Sequence, residues 1–356
     1  MTTYLLAGGG TAGHVNPLLA VADRIRDREP DSTILVLGTA EGLEARLVPQ
    51  RGYELLIVPK LPFPRRPNAA ALKFPAAFRG AVATTQRYIA ERGIDVVVGF
   101  GGYASAPAYV AARHSGIPLA IHEANAKPGI ANRFGALLTR HLGIAFSSTR
   151  LRGATFVGMP LRREIENLDR SSGRAEALEY FELDATKPTL LVTGGSLGAR
   201  KINATISESV ALILGAGWQV LHIAGNKSEI EDPHLAGYTV MPYCDRMDLA
   251  IAVADIAVAR SGAATVSELS AVGVPAVYVP YPVGNGEQRF NAKDAVDAGG
   301  AILIDDAAFT PEWVSTSLIP LLRSQTAIAE MAAASVRVGT RDGADRMVDL
   351  ISAARN

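Results

Sequence analysis

Four short stretches of this sequence combine glycine with side chains that bind anions or move protons. They are Gly8-Gly9-Gly10-Thr11-Ala12-Gly13-His14, Phe100-Gly101-Gly102-Tyr103, Gly194-Gly195-Ser196-Leu197-Gly198 and Arg260-Ser261-Gly262-Ala263-Ala264-Thr265. Each follows a short apolar run and precedes a helix-like one. Glycine lets the backbone turn tightly there, and a helix start offers free N–H groups to an anion. Gly8-x-Gly10-x-x-Gly13 also fits the dinucleotide fingerprint. A nicotinamide site wants an acidic residue roughly 20 positions further on, whereas Glu41 lies about 28 beyond Gly13. That spacing disfavours hydride transfer and leaves a phosphate-binding loop and an ordinary tight turn both open.

His14 carries the side chain best suited to take up a proton near neutrality. Metal chemistry finds little support. There is no Asp-x-Asp, Asp305 and Asp306 are merely adjacent, and Cys244 is the only cysteine. The last fact excludes an internal disulfide framework and a multi-cysteine metal site. No bound metal or cofactor is expected.

These residues need a scaffold, and the apolar pattern supplies one. Thr3–Ala7, Thr33–Leu37, Asp95–Gly99, Pro118–Ile121, Thr189–Thr193, Gln219–Ile223, Asp255–Ala259, Ala276–Val279 and Ala301–Ile304 read as buried strands. Helix-like segments lie between them: Pro17–Arg28, Leu43–Arg51, Ser105–His114, Arg200–Leu214, Thr265–Val272 and Asn291–Ala298. Strands apolar throughout and alternating with helices predict parallel sheets covered on both faces. Two such series occur, each opening with a strand that runs into a glycine loop, so the fold class is α/β with two Rossmann-like doubly wound domains. The polar stretch Arg163–Arg174 reads as the linker. In open parallel sheets ligands bind beyond the carboxyl ends of the strands, which predicts a cleft between the domains with loops on both walls.

Composition agrees. A chain of 356 residues predicts about two domains at ~150 residues each, and its 48% hydrophobic content is enough for two cores. Lys+Arg and Asp+Glu both number 35, so the overall basic balance of a nucleic-acid binder is absent. The longest uncharged run, Val96 to Ala112, is broken by glycine, serine and proline and does not read as a membrane span. No basic residue precedes Arg24, so no signal peptide is expected.

In order along the chain, Gly9-Gly10-Thr11-Ala12-Gly13-His14-Val15-x-Pro17, Gly99-Phe100-Gly101-Gly102-Tyr103, His122-Glu123-Ala124-Asn125-Ala126-x-Pro128-Gly129-x-x-Asn132-Arg133, Gly194-Gly195-Ser196-x-Gly198-Ala199-Arg200 and Arg260-Ser261-Gly262-Ala263-x-Thr265-Val266-Ser267-Glu268 resemble the MurG family. These are bacterial glycosyltransferases that move N-acetylglucosamine from UDP-N-acetylglucosamine to lipid I, forming lipid II for peptidoglycan. The resemblance runs from about Leu5 to Gly299. It implies the GT-B architecture and an inverting, metal-independent attack by the 4-hydroxyl of lipid-linked N-acetylmuramate. Residues 1–162 would form an acceptor-side and membrane-side domain, with a C-terminal helix within 340–356 packing back on it. Residues 163–339 would form the UDP-sugar domain. The sequence departs from the family at Ala12, Leu197 and Met159, and in the stretch 283–288 it keeps only Gln288 of the usual amides.

The same resemblance distributes roles. Thr11, Ala12, Gly13 and Asn125 would contact the acceptor and the transferred sugar, with His14 the candidate general base. Ser196 would touch the diphosphate and Arg162 add a positive charge. Cys244 would recognise uracil through its backbone. Ala263, Ala264, Thr265, Val266 and Ser267 would line the donor, Glu268 would bind the ribose hydroxyls, and Gln288 would read the sugar hydroxyls. Each has a plain structural alternative: a helix cap for Ser196, a surface cation for Arg162, a helix-start carboxylate for Glu268 and a polar loop residue for His14.

From Leu55 to Ala90 no acidic residue occurs. Arg65, Arg66, Lys73 and Arg79 alternate there with Phe63, Leu72, Phe74 and Phe78. Cations beside aromatic groups suit the surface of an anionic membrane. With a lipid-linked acceptor, they imply a peripheral protein at the cytoplasmic face of the bacterial membrane. A solvated basic helix face is the alternative. Other readings open at this point are a related sugar-nucleotide transferase, a UDP-N-acetylglucosamine 2-epimerase, a nucleotide-dependent oxidoreductase and a non-catalytic sugar-nucleotide binder.

Overall fold

The computed structural model describes residues 1–63, 69–195, 199–283 and 286–355, without the side chains of 69–71. The chain forms two compact units, Met1–Arg162 with Arg341–Asn356, and Arg163–Thr340. The first contains strands β1 (Thr3–Ala7), β2 (Thr33–Gly38), β3 (Glu54–Ile57), β4 (Val96–Gly99), β5 (Leu119–Glu123), β6 (His141–Ile144) and β7 (Thr155–Phe156). They form one sheet in the order β3-β2-β1-β4-β5-β6-β7, parallel throughout. The second contains β8 (Thr189–Thr193), β9 (Gln219–Ile223), β10 (Tyr238–Met241), β11 (Ile256–Ala259), β12 (Ala276–Tyr278) and β13 (Ala301–Leu303). Their order is β10-β9-β8-β11-β12-β13, again parallel. The fold is the doubly wound α/β pair that the apolar runs predict.

Alternation along the central strands explains the layers. On β1, Tyr4 and Leu6 enter a core with the helix Ala12–Arg28, while Leu5 and Ala7 enter another on the opposite face with Ala108, Tyr109 and Ala112. A strand buried on both sides must be apolar at every position. In the second unit Leu190 and Val192 of β8 pack with Ile202, Ile206, Val210 and Ile213 of the helix Arg200–Gly215.

Each chain path reverses direction beside its first strand. β1 lies between β2 and β4, and β8 between β9 and β11, so two adjacent loops diverge there above the strand ends, a place where open α/β sheets bind ligands. In the first unit the loops following β1 and β4 meet, Phe100 N–H donating to the Ala7 carbonyl at 2.8 Å. In the second, Arg260 N–H donates to the Thr193 carbonyl at 3.3 Å.

The last helix, Gly343–Arg355, belongs to the first unit. Met347, Val348 and Ile351 enter the core beside the helix Ala12–Arg28. Arg24 and Arg28 pair with Asp345, and Arg28 reaches Asp349 at 2.6 Å. Two local expectations change. Arg163–Arg174 is not a bare linker, because it contains the helix Arg163–Glu166 and the start of the helix Arg170–Tyr180. Asp169 caps the latter by accepting from Ser171 N–H, and Arg174 pairs with Asp255. The helix expected at Pro17 begins at Ala12 and carries Pro17 inside it. Pro17 stands in the second turn, so the helix gives up the one N–H bond that would reach the Gly13 carbonyl.

Candidate functional site

The earlier helix start changes the setting of His14. It is the third residue of the helix rather than a loop-tip residue, so the positive end of the helix dipole faces it. Its Nδ1 lies 3.2 Å from the Gly9 carbonyl and 3.4 Å from Thr11 Oγ1. A carbonyl can only accept, so Nδ1 carries the proton and Nε2 keeps its lone pair. Gly101 makes room for that edge: a Cβ built on it would stand 3.1 Å from Nε2, and its φ of +87° suits glycine. Burial pushes the imidazole pKa below its ordinary 6.5, against the opposing pull of Glu123, the Gly9 carbonyl and Glu44. The ring is therefore neutral and able to accept a proton at neutral pH.

Two buried carboxylates organise this region, and neither stands out from spacing alone. Glu44, from the helix Glu44–Gln50, accepts from Gly10 N–H at 2.8 Å and from Thr39 N–H and Oγ1–H at 2.9 and 2.8 Å. Burial raises its pKa, but the Gly10 and Thr39 donors outweigh burial and leave it below the ordinary value. Glu123, at the end of β5, accepts from Asn125 N–H at 2.8 Å, Gly129 N–H at 2.9 Å and Asn132 Nδ2 at 2.9 Å. It thereby shapes the turn that presents Asn125, which is half-buried. Thr11 and Ala12 are exposed and Gly13 half-buried at the helix start. His122, by contrast, is fully buried, with Nε2 donating to the Gly158 carbonyl at 3.0 Å and burial holding its pKa down at about 4. It is a structural, neutral histidine.

In the second unit the helix Ala263–Ala271 starts directly after Gly262. Ala263 and Val266 are buried, while Ala264, Thr265, Ser267 and Glu268 are half-buried on it. Gln288 lies in the short helix Glu287–Asn291, and its Oε1 accepts from Tyr281 N–H at 2.9 Å. That bond fixes the amide's orientation and leaves its NH2 group to donate to a ligand. The Cys244 side chain is buried and its thiol pushed up to about 11 by burial, which makes it a poor nucleophile. Ser196 lies outside the described residues. Arg162, half-buried, closes the first unit.

A cavity of about 950 Å³ opens above the second sheet, lined among others by Arg200, Lys201, Lys227, Arg260, Tyr281 and Asp306. Its cationic walls suit an anion. The Asp305–Asp306 pair is occupied by arginines, Asp306 with Arg260 and Asp305 with Arg289 at 2.8 Å. Among the described residues no group of three or more His, Cys, Asp or Glu side chains could hold a metal ion.

On the first unit's surface, Leu72 of the helix Ala69–Glu91 is 85% exposed and Phe63 41% exposed. Phe74 packs between Phe63, tilted against it, and Phe78, stacked on it, with ring centroids 5.0 and 5.8 Å apart, and Lys73 and Arg79 are exposed beside them. Arg65 and Arg66 lie outside the described residues. No described helix is long and apolar enough to cross a membrane.

Comparison with known proteins adds an independent line. The model of the glycosyltransferase family 28 N-terminal domain matches residues 4–142, and that of its C-terminal domain matches residues 189–347. A protein of Leifsonia xyli subsp. xyli is 62% identical over 351 residues, covering 99% of this chain and 98% of its own. One of Clavibacter sepedonicus is 61% identical over 352 residues, covering 99% and 96%. Both carry the name UDP-N-acetylglucosamine--N-acetylmuramyl-(pentapeptide) pyrophosphoryl-undecaprenol N-acetylglucosamine transferase. The crystal structure of Acinetobacter baumannii MurG superposes with a TM-score of 0.80 at 28% identity, covering 99% of this chain and 100% of that one.

Proposed function

This chain belongs to glycosyltransferase family 28, within its MurG group, and we propose that His14 supplies its base and the second unit its nucleotide site. It transfers N-acetylglucosamine from UDP-N-acetylglucosamine to lipid I, forming lipid II. The observation that carries this function is the 62% identity across 99% of the chain. A hydride-transfer enzyme and a non-catalytic binder account for neither that identity nor the prepared imidazole.

In the reaction, the 4-hydroxyl oxygen of lipid-linked N-acetylmuramate forms a bond to the anomeric carbon of the donor. The bond from that carbon to the diphosphate breaks on the opposite face, and UDP leaves with the electron pair, so the configuration inverts. The hydroxyl proton passes to His14 Nε2, whose lone pair the Gly9 hydrogen bond leaves available. Asn125 orients the sugar, and Thr11, Ala12 and Gly13 bound the acceptor. Charge on the departing diphosphate is met by N–H groups at the start of the helix Arg200–Gly215, by Ser196, by Arg162 and by the cations of the 950 Å³ cavity. Glu268 accepts from the ribose hydroxyls, the backbone at Cys244 meets the uracil, and the Gln288 NH2 donates to a sugar hydroxyl. Ala263 to Ser267 form the wall beside them.

Mass spectrometry of a soluble lipid I analogue incubated with UDP-N-acetylglucosamine tests this. One N-acetylglucosamine added per UDP released is the expected result. UDP release without an enlarged acceptor, or conversion of the donor to its 2-epimer, would overturn it. Full activity is also expected in excess EDTA, since helix N-termini and cations carry the diphosphate charge; loss restored by Mg²⁺ or Mn²⁺ would contradict that mechanism.

The surface around Phe63, Leu72, Lys73, Phe74, Phe78 and Arg79, part of an acid-free stretch of sequence that also carries Arg65 and Arg66, is proposed to seat the enzyme on the anionic cytoplasmic leaflet, where its lipid acceptor resides. Changing Arg65, Arg66, Lys73 and Arg79 together to Gln is expected to weaken binding to anionic vesicles, by about 1 kcal/mol per cation near the surface. Activity on a short-chain soluble acceptor should persist. An equal loss with both acceptors would point to a defect in the active site instead.

A further inference from the structure

We propose that Glu44 is a positioning residue for the reaction, holding the Gly9–Gly10 peptide plane so that this plane aims the His14 ring. This rests on His14 as the base. The carbonyl of Gly9 and the N–H of Gly10 are two ends of one planar trans peptide. Its N–H donates to Glu44 Oε2 at 2.8 Å, and its carbonyl accepts from His14 Nδ1 at 3.2 Å. A rotation of the plane breaks both bonds together. Carboxylate, peptide and imidazole thus form one relay, in which an amide stands where a direct carboxylate–imidazole bond could have been.

The surroundings brace that plane from both sides. The second Glu44 oxygen is tied to Thr39 N–H and Oγ1–H, so the carboxylate cannot swing away. Three glycines admit it: a Cβ on Gly9, Gly38 or Gly42 would stand 2.3, 2.5 or 2.1 Å from Glu44 atoms. Against the other edge, a Cβ on Gly102 would stand 2.3 Å from the Gly9 carbonyl oxygen. The chain has kept side chains out of the space on both sides of one peptide.

Two chemical effects follow. The relay fixes the Nδ1–H tautomer, leaving Nε2 to accept the acceptor's proton. A negative charge at the N–H end also polarises the peptide, strengthening its carbonyl as a partner for the imidazolium that forms. Two carboxylates act on the ring, Glu123 from the end of β5 and Glu44 from its own helix, and both oppose the effect of burial. Removing the Glu44 charge takes away one of them, so the ring becomes a weaker base.

Glu44→Gln keeps the side-chain volume but cannot accept from both Gly10 and Thr39. It is expected to lower kcat by up to about 10²-fold, the cost of a misaimed catalytic group, with the donor KM unchanged. The acidic limb of the kcat–pH profile should move to lower pH. Added to His14→Ala, it should cost little further. An unmoved limb, or a fall in kcat matched by lost donor affinity and a lower Tm, would make Glu44 a loop brace only and overturn the proposal. A Glu44→Gln effect that persists in the His14→Ala background would do the same. Nitrogen-15 NMR of His14 in the unmutated protein needs no variant: a protonated Nδ1 at neutral pH is expected, and a protonated Nε2 would overturn the relay. Retention of kcat by His14→Ala alone would instead refute the base assignment, a separate outcome.

Discussion

Replacing His14 with alanine is expected to lower kcat by about 10²–10⁴-fold, the usual range for a positioned acid–base group. Donor affinity should change little, because the nucleotide contacts are assigned to the second unit. The pH profile has a definite sign. His14 works as a base only when neutral, and its pKa is held below 6.5 chiefly by burial. The rate should therefore be level through neutral pH and fall only on the acid side of 6.5, as the ring gains its proton. His14→Gln separates the two roles the ring could have. An amide can hold the Gly9 carbonyl but cannot take up a proton, so it should not rescue the rate. Stopped assays with a soluble acceptor measure this; a His14→Gln enzyme keeping more than about a tenth of kcat, outside that range, would leave His14 only an orienting role.

Glu268→Ala is expected to weaken the donor strongly. The carboxylate is half-buried on the helix Ala263–Ala271, and a charged acceptor facing two ribose hydroxyls contributes roughly 1.5–3 kcal/mol. That corresponds to a rise in donor Kd of about tenfold to more than a hundredfold. Calorimetry with UDP-N-acetylglucosamine reads it directly. kcat at saturating donor should hardly change, since the ribose is remote from the bond that breaks. Glu268→Gln should fall between the two, because its carbonyl can accept one hydroxyl. An unchanged Kd would leave Glu268 a helix carboxylate with no ligand.

Central strands were legible in the sequence because burial on both faces demands apolar residues throughout. Thr3–Ala7, Thr189–Thr193 and Gln219–Ile223 are found at the expected bounds. The strands that apolar runs did not predict are Glu54–Ile57, His141–Ile144, Thr155–Phe156 and Tyr238–Met241. Three of these, β3, β7 and β10, are sheet edges. An edge strand is partly solvated, so polar residues such as Glu54, Thr155 and Thr239 interrupt its pattern. The helix start at Ala12 was missed for a related reason: glycine and proline around His14 read as loop, and only packing of Val15 and Leu18 into the core decides otherwise.

The sequence by itself determined the two parallel-sheet units, the glycine loops at their strand ends and the family, since each depends on residue types at short, ordered spacing. It also pointed to His14 as a proton acceptor through its side chain alone. The tertiary structure decided what surrounds that ring. Glu44 lies 34 positions from Gly10 in the chain, and Glu123 reaches Asn132 and Gly129 only because β5 ends beside their turn. Nothing in local spacing marks a carboxylate as buried, as the acceptor for a particular N–H, or as the charge that biases a particular imidazole. Those properties arise only when strands paired in parallel bring distant loops to one end of the sheet.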